Sequence, residues 1–319
     1  MLISFIIPLY NCANYILDCL NSIYASNLEL DEFEVIVVND GSQDGGNELV
    51  SGFASSHSNL HLVNRSNSGA SAARNAGLEV ANGKWIWFVD ADDLINSTIF
   101  DNMEFMNCLQ NGNADVVAFN YEIESYDSAV EKITYNGVEK ITGLEYLKEN
   151  SRLYLWNKVF SRRAIRNVKF VEGTKNLEDF YFNIQVLSEN IIINCFPIIG
   201  YKYNNSNIKS TSRNRSESNL RKLSEDTQTI FSLLAEDIKS TSGSRKKVLQ
   251  QLLNFSSLGY LYSLFSLYSI SSLKEGMLFL NKIGCYPIAK IDNFKASAFR
   301  LLVNNKYLFF LAKYLKNIF

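Results

Sequence analysis

The sequence predicts an α/β domain built on a mostly parallel central sheet, followed by a helical C-terminal region. Three observations carry this reading. Up to Tyr121, apolar runs of strand length alternate with segments of helical period, the pattern of repeated strand and helix units. Most of those runs are continuously apolar rather than alternating, so the sheet is expected to be covered on both faces. From Leu220 onward the period is helical, with no convincing strand.

The first strand is read over Ile3 to Ile7, within MLISFIIPLYN. That run ends at Pro8 and lacks the basic start and small-residue cleavage site of a secretory signal, so it reads as a strand. Tyr15, Ile16, Cys19, Leu20 and Ile23 then recur at helical spacing. Glu34 to Val38 is the second strand, and Leu49, Val50 and Phe53 mark the second helix. Leu60 to Val63 is the third strand, before a short helix carrying Ala72, Ala73, Ala76, Leu78 and Val80. Trp85 to Val89 and Val116 to Tyr121 are the fourth and fifth strands.

After residue 122 the alternation fades into a mixed segment, polar and charged around Glu122 to Lys140. Residues 204–223 are Asn/Ser-rich and basic and read as a mobile loop or linker. Val248 to Leu273 is uncharged and approaches bilayer-spanning length, but its serines, glutamines and asparagine dilute it, so a buried bundle helix is expected. Residues 294–319 hold five Lys/Arg, no Asp/Glu and seven aromatics. That composition suits either a helix lying in an anionic membrane interface or a bundle helix with a solvated basic face.

With 47% hydrophobic and 13% aromatic residues and three prolines, the chain has ample material for a core, which excludes a disordered protein. The net charge of -2 conceals a split: residues 1–201 carry 13 Lys+Arg against 26 Asp+Glu, and residues 202–319 carry 18 against 7. A basic terminal region commonly meets an anionic surface, the plainer alternative being that the two parts attract each other. The five cysteines are odd in number and form no C-x-x-C pattern, so a reducing compartment is expected. Zinc is disfavoured, since the two histidines, His57 and His61, have no Cys/His partners at ligand spacing.

Four segments carry chemistry. Val38-Asn39-Asp40-Gly41-Ser42 closes the second strand and aims Asp40 at the edge where open α/β sheets bind ligands, though Asp-Gly-Ser is also ordinary turn and helix-cap chemistry. Phe88-Val89-Asp90-Ala91-Asp92-Asp93 runs an apolar strand into three carboxylates, whose mutual repulsion a hard divalent cation would relieve. Asn67-Ser68-Gly69-Ala70-Ser71-Ala72-Ala73-Arg74-Asn75 is a polar loop entering a helix, whose small residues would let backbone N–H groups approach an anion. The G-x-G-x-x-G and Walker patterns are absent, which weakens dehydrogenase and ATPase readings. Glu178-Asp179 begins another helical stretch, where paired acids favour the helix dipole and one could serve as a general base.

In order, Pro8-Leu9-Tyr10-Asn11, Val38 to Asp44, Asn67 to Gly77, Gly83 to Asp93, Trp156 to Phe160 and Glu178-Asp179 resemble the motifs of family 2 glycosyltransferases of the GT-A fold. The likeness is strongest to bacterial enzymes of capsule, exopolysaccharide and lipopolysaccharide synthesis, and it covers about the first 200 residues. It implies a Rossmann-like GT-A domain over residues 1–203, with a nucleotide-binding half at 1–95, an acceptor half at 96–203, and a basic helical region at 204–319. It further implies that Pro8, Tyr10, Asn11 and Asp40 line a uracil pocket, with Asn67, Gly69 and Arg74 near the base or diphosphate. Asp90 and Ala91 would approach the ribose, Asp92 would ligate Mn²⁺ or Mg²⁺, and Asp179 would be the base with Glu178 beside it. Trp156 and Lys158 are expected at the acceptor or donor sugar, an aromatic face suiting a pyranose and a cation a phosphate.

The expected activity is inverting transfer of a hexose or N-acetylhexosamine from a UDP-sugar to a growing glycan on a polyprenyl diphosphate lipid. The setting is cytoplasmic, with peripheral contact at the inner membrane face through residues 294–319 and no nucleic-acid partner. Two other classes compete: a nucleotidyltransferase that makes the nucleotide sugar, and a non-catalytic glycan-binding module. The first lacks its Gly-rich basic N-terminal loop here, and retention of both Asp92 and Asp179 speaks against the second.

Overall fold

A computed structural model describes residues 1–125, 128–132, 134–149, 153–205, 216–290 and 294–316. Its strands, in chain order, are β1 Ile3–Leu9, β2 Phe33–Asn39, β3 Leu60–Asn64, β4 Trp85–Phe88, β5 Leu94–Ile95, β6 Val116–Ser125, β7 Ser128–Lys132, β8 Glu139–Thr142, β9 Lys158–Ser161 and β10 Ile192–Asn204. They form one sheet in the order β3-β2-β1-β4-β9-β6-β10-β5, with β7 added on β6 and β8 on β10.

The first four strands pair in parallel, as their continuous apolar runs predict. Each of β1 to β3 is followed by a helix that carries the chain back, respectively Ile16–Tyr24, Gly46–Ala54 and Ala70–Val80. β1 and β2 are buried almost throughout. The third helix seats closely on the sheet at Gly77, where a Cβ would come within 2.5 Å of the Ile6 side chain. On the other face Phe5 packs on Trp87 with ring centroids 5.6 Å apart, and Trp87 continues to Phe119 at 5.0 Å. The register pairs Leu9 with Asn39 and Asn39 with Asn64, so Tyr10, Asp40 and Arg65 leave the sheet along one edge.

The second half differs from the sequence reading. β9 runs antiparallel between β4 and β6, and β10 lies parallel to β6, so the sheet is parallel at one end and mixed at the other. Neither β9 nor β10 is legible from apolar periodicity. β9 has only four residues and begins with a lysine, while β10 shifts register between Phe196 and Ile199 and again between Ile199 and Tyr201. Within 204–223, β10 extends to Asn204 and a helix begins at Glu217, while residues 206–215, part of the expected loop, lie outside the described residues.

The chain divides into two compact units, Met1–Lys222 and Leu223–Phe319. The second contains most of Glu217–Ser240, then helices Gly243–Leu267, Ile270–Lys282, Phe294–Asn304 and Lys306–Lys316. The uncharged stretch expected as one helix breaks at Tyr268, because the Ser269 hydroxyl accepts from Ser272 N–H and caps a new helix. Gly276 lets these two helices approach, its missing Cβ leaving room for Leu264. Among the described residues no helix is long and apolar enough to cross a membrane.

Candidate active site

The turn after β1 is closed by side chains from the turn after β2. Ala13 N–H donates to Asp44 at 2.7 Å, Gln43 N–H to the Asn11 side chain at 2.9 Å, and Asn11 N–H to Ser42 Oγ at 3.1 Å. Asn11 itself has φ 51°, left-handed backbone that asparagine tolerates. The clamp leaves the Tyr10 ring half exposed at the sheet's carboxyl edge, next to partly buried Pro8.

Asp40, 3% exposed, sits where the sequence placed it. Its carboxylate accepts from Ser68 N–H at 3.0 and 3.1 Å and from Gly69 N–H at 2.7 Å, and it pairs with Arg65 Nε at 3.3 Å. Two expectations change here. The Ser68 and Gly69 amides are taken by a carboxylate of the protein rather than presented to an incoming anion, and Asp40 anchors that loop beside the exposed Asn67. Gly69 needs its φ of 93° to make this turn.

The three acids after β4 separate into three environments. Asp93 is 1% exposed, accepts from Tyr201 hydroxyl at 2.8 Å and Asn204 N–H at 2.7 Å, and has its pKa pushed up by burial and by Asp90 and Asp92. Asp90 meets Arg74 Nη2 at 2.8 Å, and its own N–H donates to Tyr201 hydroxyl at 3.1 Å. Asp92 is half-buried beside Cys12, whose thiol is pushed up to about 12 by burial and then by Asp92, Asp44 and Asp90. Ala91 is buried between the two exposed-side acids. Arg74 thus offsets the charge of Asp90, and Tyr201 with the Asn204 N–H satisfies Asp93, while burial and the mutual repulsion of the three acids still raise Asp93.

Arg74 is the centre of this site. Its guanidinium, with the side chain only 6% exposed, pairs with Asp90, with Glu178 at 3.3 Å and with Asp179 at 3.2 Å, and lies 5.5 Å over the Phe170 ring. Burial would lower its pKa, but Asp179, Asp90 and Glu178 override this and raise it. Arg74 thus faces three carboxylates of the protein itself. The neighbouring Asn75 side chain bonds to Phe170 N–H and O at 2.9 and 3.0 Å, tying the segment before Glu178 onto the same helix.

Glu178 and Asp179 open helix Glu178–Leu187 after Leu177, whose φ of 62° is unusual for a bulky residue. The Asp179 carboxyl is pushed up to about 7: burial raises it, Arg74 lowers it, Glu178 and Asp90 raise it again, and Lys158 lowers it. Such a group is half ionised near neutrality, the range suited to a general base.

Trp156 and Lys158 lie deeper than expected. Trp156, 5% exposed, stacks on Tyr154 at 4.7 Å and on Tyr201 at 4.6 Å, with Tyr203 at 5.6 Å. Lys158 is fully buried, donates to Asn157 Oδ1 at 2.9 Å and to Tyr154 O, and lies over the Tyr146 ring. Burial pulls its pKa down to about 7, against the opposing pull of Asp179. As a buried side chain with internal partners, it offers no surface cation to an acceptor phosphate. Tyr201 is the main site residue that the sequence reading missed, being one apolar-looking position within an unrecognised strand.

Among the described residues no group of three or more His, Cys, Asp or Glu side chains could hold a metal. The donor chemistry still fits a hard divalent ion. Mg²⁺ and Mn²⁺ commonly take one or two carboxylates and complete their shells with phosphate oxygens and water, which matches a half-buried Asp92 at the mouth of the site.

The sequence model of Glycosyl transferase family 2 matches residues 4–170. The chain is 32% identical over 200 residues to the uncharacterized glycosyltransferase YibD of Escherichia coli strain K12, covering 57% of this chain and 56% of that protein. It thus spans about half the length of that relative. S. aureus TarS 1-349 in complex with UDP-GlcNAc superposes with a TM-score of 0.74 at 20% identity, over 89% of this chain and 81% of that one. The mannosyltransferase PcManGT from Pyrobaculum calidifontis, in complex with GDP-Man and Mn2+, gives a TM-score of 0.55 at 16% identity, over 99% and 87%. At these identities the structural matches speak to the GT-A-type fold.

Proposed function

The chain belongs to glycosyl transferase family 2, and from that premise we propose that it transfers a hexose or N-acetylhexosamine from a UDP-sugar to a hydroxyl of a growing, lipid-linked surface glycan, with inversion at the anomeric carbon. One observation carries the proposal: the Asp179 carboxyl stands across the Arg74 guanidinium from Asp90, beside the end of the fourth strand.

In this mechanism Asp179 accepts the acceptor's hydroxyl proton as the oxygen attacks the anomeric carbon. The bond from that carbon to the diphosphate breaks and its electron pair leaves with UDP. Arg74, itself fixed by Asp90 and Glu178, holds the Asp179 carboxylate in place. Tyr10 offers its exposed ring to the base, with Pro8, Asn11 and Asn67 around it, and Asp40 keeps the Asn67–Gly69 loop in position. Asp90 and Ala91 lie on the ribose side. A Mn²⁺ or Mg²⁺ ion held by Asp92 would supply charge stabilisation to the departing diphosphate. The UDP-GlcNAc and Mn2+ in the complexes of the two structural neighbours support the choice of donor and metal. A nucleotidyltransferase reading has no observation in its favour.

The test is a screen of UDP-sugars for UDP release with and without Mn²⁺, repeated with Asp179→Asn. Turnover of one UDP-sugar that the substitution abolishes supports the proposal. Turnover confined to donors with another base overturns the UDP assignment, and undiminished transfer by Asp179→Asn overturns the base.

A further inference from the structure

The second unit ends in a helix with two unlike faces. On Lys306–Lys316, Phe309 is fully buried and stacks on Phe265 at 5.3 Å, while Lys313, 3% exposed, turns inward to donate to Phe265 O at 2.6 Å. The opposite face carries Tyr307, Leu308, Leu311, Tyr314 and Leu315, all exposed, from 46% at Leu315 to 90% at Tyr307. Their spacing is i, i+1, i+4, i+7 and i+8, one continuous apolar stripe. Leu301 on the preceding helix is also exposed, at 65%.

At the N-terminal end of this stripe a cavity of about 440 Å³ is lined by Asn281, Tyr286, Pro287, Asn305, Lys306 and Tyr307. Its wall is fixed: Tyr286 hydroxyl donates to Val303 O at 3.0 Å, and the Asn304 side chain holds both Ile288 N–H and O at 2.9 Å. Lys306 stands exposed at its rim, 5.7 Å from the Tyr286 ring centroid. The cavity mixes asparagine side chains with aromatic and proline surface and carries a cation where the apolar stripe begins. Residues 294–319 contain no acidic side chain, and the whole unit, residues 223–319, holds 12 Lys+Arg against 6 Asp+Glu.

We propose that this face is a peripheral membrane-docking surface, with the stripe of Tyr307, Leu308, Leu311 and Leu315 entering the acyl boundary of an anionic bilayer and Lys306 with its cavity receiving a phospholipid headgroup. Apolar residues on one face, tyrosines at the level of the headgroups and excess basic charge are the features that hold a helix in such an interface. A second copy of the chain is a poorer occupant, since its identical face brings basic charge and no acidic residue to pair with it.

The experiment is cosedimentation of the full chain with vesicles of phosphatidylcholine alone or phosphatidylcholine with phosphatidylglycerol, alongside light scattering of the protein without lipid. Binding to the anionic vesicles is expected, weakened at an ionic strength of about 0.5 M. Leu308→Glu with Leu311→Glu should lower the bound fraction about tenfold or more. Lys306→Glu, a change at an exposed position, should lower binding with an unchanged melting temperature and so exclude misfolding as the cause. No binding to either vesicle overturns the proposal. So does a dimer in solution that the two leucine substitutions dissociate, which would assign the face to a second copy.

Discussion

Glu178→Gln isolates how the site sets the proposed base, Asp179. The Glu178 and Asp179 oxygens both lie within 3.3 Å of the same Arg74 nitrogen. Two unit charges about 6 Å apart repel by roughly 0.7 kcal/mol in water and about 2.8 kcal/mol at an effective dielectric of 20, or half to two pH units. Glu178 is among the groups that raise Asp179 to about 7, so removing its charge should lower that value. For a base, kcat/KM rises with pH through the free enzyme's pKa, so the inflection near 7 should move down by roughly 0.5 to 2 units while the high-pH plateau survives. The assay is UDP release over a pH series at subsaturating donor. An inflection that stays put or moves up would refute the electrostatic account of Asp179.

Asp179→Asn should reduce kcat by about 10²- to 10⁴-fold while leaving UDP affinity nearly unchanged by calorimetry. Asp92→Ala should abolish the dependence of UDP affinity on Mn²⁺, and an unaltered metal dependence would move the ligand elsewhere. Gly83→Ala should cost about 1–3 kcal/mol in urea denaturation, because a Cβ there would lie 2.5 Å from Ser4 N, in backbone that has no room to shift. Glu34, buried but held below its usual value by Ser4 and Asn82, contributes stability that is present above its unfolded pKa and lost as pH falls through the folded one. Glu34→Gln should therefore destabilise more at pH 7 than at about pH 3.5, seen as converging denaturation midpoints.

The first four strands were legible because most are continuous apolar runs with acids at the ends of two of them. β9 and β10 were not, because β10 places Pro197 and Gly200 inside a bulged strand and β9 buries a lysine. The functional acids were readable one by one, but their grouping was not. Arg74 meets Glu178 and Asp179 more than a hundred positions along the chain, a pairing that no local period encodes. The left-handed Leu177 is likewise invisible, since nothing in a leucine announces positive φ. Nor could composition separate Lys306, exposed at a cavity rim, from Lys313, tucked under an aromatic ring.

The shared guanidinium has a bearing on grafting between relatives. Position 74 lies on the helix after the third strand, and two of its three counter-ions, Glu178 and Asp179, come from a helix more than a hundred positions later. A chimera joined anywhere between them inherits a balanced charge set only if both parents carry the same arrangement. Otherwise a cation or a pair of anions is stranded in the seam, at about 3–5 kcal/mol for each broken buried pair. Exchanging these segments between relatives is thus constrained first by charge at position 74.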